Sequence, residues 1–185
     1  MPVVIVGFYL TLPLILGGMV LILCLKNRWL SWLRIPVDAN RKLRGKPLLG
    51  NHKTWQGFVL MSLTSSFIGA VLWLNAPSLA LVLPFETVWQ AFAGFGLVGL
   101  AYSVGELPNS FIKRQMGILP GDLPDNNRLF FQFFDLIDGI LLAGLVYLFL
   151  FSVSLTIVVA AMLTGIIFHQ LIHELMIRLH LKPKY

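Results

Sequence analysis

"FFQFFDLIDGILLAG", residues 130–144, places two aspartates in an otherwise apolar run. An ionised carboxylate at the centre of a membrane helix costs roughly 2.5 to 3.5 kcal/mol on insertion scales, so such residues normally face a protein interior and have a partner. Asp135 and Asp138 are three residues apart. This spacing puts both side chains on one helix face, about 4.5 Å apart along the axis. Because two carboxylates this close repel each other, the stretch predicts a cation between them.

The composition is that of an integral membrane protein. The chain of 185 residues is 57% hydrophobic and 12% charged, with a mean hydropathy of +0.82, whereas soluble domains carry about 25% charged residues. Segments of about 20 apolar residues are long enough to span a bilayer. We therefore predict an all-α integral membrane protein, a single domain over 1–185 with about five transmembrane helices. The predicted spans are 3–25, 57–74, 80–104, 129–151 and 154–174.

The cations predict the orientation of these spans. Eight of the fourteen Lys and Arg residues lie in 26–56, three in 105–128 and three in the C-terminal tail, whereas the opposite side carries only Glu86. The positive-inside rule then predicts an outside N-terminus, a cytoplasmic C-terminus and two cytoplasmic loops, 26–56 and 105–128, that form the polar site. The net charge of +6 is confined to these membrane-flanking segments, which favours lipid headgroups over nucleic acid as the partner.

The second loop carries chemically useful side chains close to the membrane exit. Glu106, Ser110, Lys113 and Arg114 place a carboxylate, a hydroxyl and two cations within a few residues. This is the set needed to hold a metal and a polyphosphate, although Lys113 and Arg114 taken alone are more often headgroup anchors. Glycine and proline punctuate both loops, which predicts irregular segments closed by turns rather than long helices.

The first loop interleaves cations with glycines. Arg44, Lys46 and Lys53 alternate with Gly45 and Gly50, and glycine lets backbone N–H groups approach a phosphate closely. The segment does not match a Walker A loop. A basic surface in contact with anionic lipid therefore remains an alternative to phosphate binding.

A glycine pattern in the third span has a different interpretation. Gly94, Gly96 and Gly99 spell G-x-G-x-x-G, but no strand precedes them and they lie in an apolar span. Helix packing through small residues is therefore favoured over nucleotide binding.

The aspartate pair admits two interpretations. Mg²⁺ takes oxygen ligands, keeps several waters and is usually held by one or two carboxylates plus substrate phosphates. Asp135 and Asp138 suit this chemistry if a water-filled cleft reaches them. The alternative is a structural pair that bonds to neighbouring helices or to a buried Arg or Lys.

Three motifs in this order resemble the CDP-archaeol synthase family, small membrane cytidylyltransferases related to phosphatidate cytidylyltransferase. They are "RGKPLLGNHKTWQGF" (44–58), "GELPNSFIKRQMGILPG" (105–121) and "FFDLIDG" (133–139). The resemblance extends from about Val37 to the C-terminus. Two positions depart from the family's pattern, because Glu106 stands where aspartate is usual and Asn109 where lysine is usual.

The resemblance implies a reaction in which CTP and a glycerolipid phosphate give a CDP-lipid and pyrophosphate, with Mg²⁺ as cofactor. It implies catalytic roles for Glu106, Asp135, Asp138 and Lys113, the three carboxylates being the metal ligands. The implied substrate-binding residues are Arg44, Lys46, Lys53, Thr54, Ser110, Lys113 and Arg114. Two other classes of function remain open: a small ion-coupled transporter that uses the intramembrane carboxylates, and a non-catalytic relative of the enzymes.

Overall fold

The structure, a computed structural model, describes residues 2–119, 122 and 128–178. Almost all of the regular structure in these residues is helical. A short 3-10 turn, Ser31–Leu33, lies in the first loop, and a π-helical turn, Val146–Leu150, continues the fifth helix. The helices are α1 (Val3–Lys26), α2 (Trp55–Asn75), α3 (Pro77–Ala80), α4 (Val88–Gln115), α5 (Arg128–Leu145) and α6 (Leu155–Arg178).

The five long helices pack side by side into a closed bundle. α1 contacts α2 and α6, α4 contacts α2 and α5, and α5 also contacts α6. The interior includes Leu10, Phe95 and Val98, which are almost completely buried. The Tyr147 hydroxyl is also buried and donates a hydrogen bond of 2.9 Å to the backbone oxygen of Leu10. α4 therefore lies between α2 and α5, and this arrangement decides which of its side chains can meet the two aspartates.

Four helices, α1, α2, α4 and α5 with its π-turn, are long and apolar enough to cross a membrane, and α6 has a shorter apolar part over 155–171. Large apolar side chains cover the outside of the bundle, for example Phe67 on α2, 62% exposed, and Phe149 after α5, 77% exposed. Such a surface is stable against lipid tails but not against water. The predicted all-α integral membrane fold is confirmed, while the orientation of the spans stays a prediction.

The glycines of the third span lie against other parts of the bundle. A Cβ on Gly99 would lie 2.5 Å from the backbone oxygen of Met61, and one on Gly96 would lie 2.4 Å from the Ser66 hydroxyl, both on α2. A Cβ on Gly94 would lie 2.2 Å from the Phe85 ring. These glycines permit the close approach that small residues provide in membrane bundles. The packing interpretation of this motif agrees with these contacts.

α4 begins later than the predicted span 80–104, because a capping box fixes its start. The Thr87 hydroxyl accepts a hydrogen bond of 3.2 Å from the backbone N–H of Gln90. The Gln90 side-chain oxygen accepts in return from the backbone N–H of Thr87 at 3.3 Å and from that of Glu86 at 2.6 Å. This reciprocal pairing satisfies backbone donors that have no partner within the helix.

The predicted irregular loop 105–128 is wrong in its first part, because α4 continues to Gln115. The stop signal is Gly117, which adopts a φ of +82°. Its N–H donates to the Arg114 oxygen at 3.0 Å, and the N–H of Ile118 donates to the Lys113 oxygen at 3.0 Å. These two bonds form a Schellman motif, which ends a helix at a left-handed residue that glycine adopts readily. The candidate residues on this segment are therefore held on a helix.

The first loop contains a short hairpin of two strands, β1 (Lys42–Leu43) and β2 (Lys46–Pro47). Its two central residues, Arg44 and Gly45, have φ values of +51° and +82°, as a type I′ turn requires. The Gln115 side chain at the end of α4 donates to the Pro47 oxygen at 3.1 Å, and the Lys46 ammonium donates to the Gln115 oxygen. The hairpin is thereby attached to the end of α4.

Candidate functional site

Polar side chains on the facing sides of α4 and α5 form the candidate site. These side chains, Glu106, Asn109, Lys113, Asp135 and Asp138, are called the polar stripe. Glu106, Asn109 and Lys113 are spaced by three and four residues, so they share one face of α4. Asp135 and Asp138 share one face of α5, and the hydrogen bonds between the two helices join these faces. The structure thus brings together four of the predicted site residues and adds Asn109 between them.

A close crossing of the two helices lies directly beside the carboxylates. A Cβ on Gly105 of α4 would lie 2.6 Å from the backbone oxygen of Asp138 and 3.1 Å from the Cα of Gly139. A Cβ on Gly139 would lie 2.8 Å from the ring of Tyr102, one turn earlier on α4. Small residues at these positions let the two backbones approach closely enough for short side chains to meet.

Lys113 pairs with Asp135 across this interface. Its ammonium lies 2.6 Å and 2.5 Å from the two carboxylate oxygens. The Lys113 side chain is 9% exposed and that of Asp135 is 43% exposed. The ammonium also lies 5.7 Å from the centroid of the Phe131 ring, a distance that gives a cation–π attraction. The cation is therefore well enclosed, while the carboxylate stays open to an approaching ligand.

Asn109 bridges the two aspartates. Its side-chain nitrogen donates to Asp135 at 2.6 Å and to Asp138 at 2.8 Å, and the residue is only 7% exposed. The other oxygen of Asp138 accepts from the backbone N–H of Gly139 at 2.6 Å. One amide group therefore fixes the separation of the two carboxylates that the sequence predicts to act together.

The three carboxylates differ in their charge partners. Lys53 forms an ion pair with Glu106 and links the first loop to α4; the two side chains are 22% and 30% exposed. Asp135 is paired with Lys113. In the described part of the chain, Asp138 alone of the three forms no ion pair. Two of the three carboxylates are therefore in ion pairs, and the third, Asp138, accepts hydrogen bonds only from neutral donors among the described residues.

Two predicted phosphate-binding cations instead hold the loops together in this structure. The buried Arg114 donates to the backbone oxygen of Leu49 at 3.4 Å and also to that of Ile118. Lys46 donates to the end of α4 as described above. Lys46 and Arg114 each join the first loop to α4, and Arg114 also binds the turn that follows α4.

Three further predicted residues are not drawn into the polar stripe. Arg44 lies exposed at the tip of the hairpin. Thr54 caps α2 by position but makes no side-chain cap hydrogen bond. Ser110 follows Asn109 on α4 and is partly buried. Among the described residues, no hydrogen bond joins the side chain of any of the three to the carboxylates.

The donor set suits a cation that is completed by other ligands. Among the side chains that the structure describes, no three His, Cys, Asp or Glu residues are grouped so that they could hold a metal ion by themselves. Asp135 and Asp138 nevertheless bind the same amide nitrogen, so their oxygens lie close together. Because Mg²⁺ is usually bound by one or two carboxylates, waters and substrate phosphates, these two residues fit it without a closed protein cage.

Asn109 is the residue that the sequence interpretation did not assign to the site. It was noted only as a departure from a pattern, because an amide between a glutamate and a lysine has no chemical signature of its own. Its spacing of three from Glu106 and four from Lys113 was the available signal, since that spacing defines the helix face opposite α5. This spacing is informative only in a helix, whereas the glycines and prolines of the segment predict an irregular loop.

The fold and the site together define a small polytopic membrane protein with a charged cluster where the end of α4 meets the start of α5. The family described as "CarS-like: CDP-archaeol synthase" matches residues 33–185. The chain belongs to the CDP-archaeol synthase family. The matched range includes all the residues of the polar stripe.

Several curated relatives carry the name CDP-archaeol synthase. One from Halobacterium salinarum is 34% identical over 84 residues, which are 44% of this chain and 45% of the relative. One from Staphylothermus marinus is 34% identical over 112 residues, 57% of this chain and 51% of the relative. One from Pyrococcus furiosus is 33% identical over 87 residues, 46% of this chain and 48% of the relative. The chain thus spans about half the length of these relatives. No solved structure matches it.

Proposed function

We propose that this protein transfers CMP from CTP to the phosphate of a membrane glycerolipid and releases pyrophosphate. The observation that carries the proposal is the pairing of an acidic stripe on α5 with an amide and a lysine on α4, in a chain of this family. Such a cluster offers both carboxylates for a divalent cation and cations for phosphate groups. These are the two requirements for bringing two anionic substrates together.

The reaction needs positioning more than proton transfer. An oxygen of the lipid phosphate attacks the α-phosphorus of CTP, and the bond from that phosphorus to the bridging oxygen of the β-phosphate breaks. The CMP group is thereby joined to the lipid phosphate, and the bonding electrons leave with pyrophosphate. Because the lipid phosphate is already anionic at neutral pH, no general base is required. Neutralising charge on the leaving group is therefore the main task of the protein.

We assign the carboxylates Glu106, Asp135 and Asp138 to a Mg²⁺ ion. Mg²⁺ held there would polarise the phosphoryl oxygens and balance charge on the departing pyrophosphate. Glu106 would be the third ligand, and the ammonium of Lys53, its ion-pair partner, would be available to a phosphate. The substrate-binding cations are Lys53, Lys113 and Arg114, supported by Arg44, Lys46, Thr54 and Ser110.

The lipid substrate fits the exposed side of α5. Asp135 is 43% exposed, and Phe130, Phe133 and Phe134, which precede it on the same helix, are also exposed. We propose that the lipid phosphate reaches the carboxylates from this side while its tails remain in the bilayer. The cluster of cations in the first loop supports a site that faces the cytoplasm of a cell membrane.

The direct test is mass-spectrometric detection of a CDP-lipid. Purified protein is incubated with CTP, Mg²⁺ and a panel of lipid phosphates with ether-linked or ester-linked chains. We expect a CDP-lipid that requires the metal and whose mass identifies the acceptor. A folded protein that yields no product from any acceptor would contradict the proposal and favour a non-catalytic relative.

Lys53→Gln is expected to weaken CTP binding more than it weakens the fold. A charge-assisted hydrogen bond to phosphate contributes about 1.5 to 3 kcal/mol, so we expect the KM for CTP to rise roughly ten- to a hundredfold. The ion pair that the variant breaks is partly exposed and contributes only about 0 to 1 kcal/mol. Steady-state kinetics with varied CTP, together with a thermal unfolding curve, measure the two effects.

Lys42→Gln is the matched control for this variant. Lys42 is exposed in β1 of the same loop, and among the described residues its side chain has no hydrogen bond or ion pair with the site, so its substitution removes an equal charge without breaking a contact there. Its KM for CTP is expected to stay within about twofold of the unmodified protein, since an exposed charge several residues away acts through screened solvent. An equal rise of the KM for CTP in both variants would indicate that the total charge of the first loop, and not Lys53 in particular, determines CTP binding.

A further inference from the structure

We infer that Asn109 is a positioning residue that prepares Asp135 and Asp138 to bind a divalent cation before CTP arrives. The inference rests on the proposed function and deepens it, because it concerns the order in which the site is assembled. It follows from what the Asn109 side chain contacts and from the charge that it does not supply.

The contacts of Asn109 fix the geometry of the pair. Its amide nitrogen bonds both carboxylates, at 2.6 Å and 2.8 Å, from a side chain that is only 7% exposed. A buried, doubly bonded amide has little freedom to move, so it holds the two carboxylates at one separation despite their repulsion. A cation that enters the pair therefore meets ligands already in place, and this lowers the cost of ordering them.

Because the Asn109 side chain is neutral, it does not balance the charge of Asp138. Lys113 neutralises Asp135 and Lys53 neutralises Glu106. Asp138 accepts only from the neutral Asn109 amide and from the backbone N–H of Gly139 among the described residues. A lysine at position 109 would bring an ammonium to the same carboxylate. The asparagine thus leaves Asp138 with no protein cation for an entering metal ion to displace, while Lys113 is paired with Asp135.

The test is binding of Mn²⁺, followed by the electron paramagnetic resonance signal of the free ion, with detergent-purified protein and no nucleotide. We expect the unmodified protein to bind Mn²⁺ under these conditions. Asn109→Ala should weaken binding about 10- to 100-fold, the usual effect of removing a residue that orients metal ligands. Asn109→Lys should weaken it at least as much, because its ammonium competes for Asp138.

Asn75→Lys is the matched control for the introduced charge. Asn75 lies exposed at the far end of α2, where its side chain donates to the Val71 oxygen. Its Mn²⁺ affinity should equal that of the unmodified protein. Thermal unfolding and size-exclusion profiles confirm that each variant is folded before its metal affinity is compared.

Two outcomes would overturn the inference. One is Mn²⁺ binding that requires CTP in the unmodified protein, and the other is unchanged Mn²⁺ affinity in folded Asn109→Ala or in folded Asn109→Lys. Either result together with metal-dependent CDP-lipid formation would leave the proposed function standing and remove only the role of Asn109. Mn²⁺ binding that Asn109→Lys abolishes, in a protein that makes no CDP-lipid, would instead support the site and contradict the proposed reaction.

Discussion

Asp138→Asn is expected to reduce CDP-lipid formation by at least about a thousandfold while the protein stays folded. Asp138 has no ion pair within the described residues, so removing its charge leaves no protein cation without a partner. The asparagine keeps one side-chain oxygen that can accept from Asn109 or from the backbone N–H of Gly139. We therefore expect the melting temperature to stay within about 2 °C of the unmodified protein. The measurement pairs product detection by mass spectrometry with thermal unfolding.

Asp135→Asn is expected to differ from Asp138→Asn in its effect on the stability of the protein. It should lower activity as strongly, but it also leaves the Lys113 ammonium, 9% exposed, without its carboxylate. An enclosed unpaired charge destabilises the fold, and because Asp135 itself is 43% exposed we expect a modest loss of about 1 to 2 kcal/mol. Asp138→Asn and Asp135→Asn are thus predicted to agree in activity and differ in melting temperature.

Glu86→Gln is the control for both aspartate variants. It makes the same change from carboxylate to amide at an exposed residue just before α4, at the opposite end of that helix from the polar stripe. Its activity and melting temperature should match those of the unmodified protein. Near-normal turnover in both aspartate variants would rule out the metal role that we assign to them.

Gly105→Ala is expected to lower activity about a hundredfold without changing any polar group. The added Cβ would lie 2.6 Å from the backbone oxygen of Asp138 and 3.0 Å from the Cβ of Leu142. Backbone atoms cannot rotate away, so α4 and α5 must move apart. A displacement of about 1 Å between catalytic groups can cost a hundredfold in rate. The same separation should destabilise the protein by about 1 to 3 kcal/mol, as overpacking usually does.

Gly18→Ala is the matched control, since it makes the same substitution within α1. A Cβ there meets no atom within 4 Å, so alanine adds only its better helix propensity. We expect unchanged activity and a stability equal to or slightly above that of the unmodified protein, by up to about 1 kcal/mol. Kinetics and thermal unfolding of both variants test whether activity and stability depend on the close approach of α4 and α5. An active, stable Gly105→Ala would show that close contact of α4 with α5 is not needed.

The helical membrane fold could be predicted from the sequence because it depends on local quantities. Long apolar runs such as that of α1 need only their own length and composition to be recognised, since a bilayer imposes the same requirement on every span. The facing carboxylates could also be placed on one helix face, because a spacing of three has a fixed geometric meaning. The end of α4 could not be placed correctly, because several glycines and prolines compete as stop signals. Among the described glycines and prolines of this segment, only Gly117 has the hydrogen bonds of a helix terminus.

The partner of each charged side chain depends on how the helices pack. The amino-acid pattern is enough to show that Asp135 and Asp138 need a partner near them and that cations are concentrated in the two flanking segments. Packing of α4 between α2 and α5 then selected Lys113 for Asp135, Lys53 for Glu106 and the neutral Asn109 for Asp138. The physical reason is that hydrogen bonds and ion pairs act over a few ångströms. Contacts between residues separated by 22 to 53 positions therefore depend on how the helices meet, which no local pattern specifies.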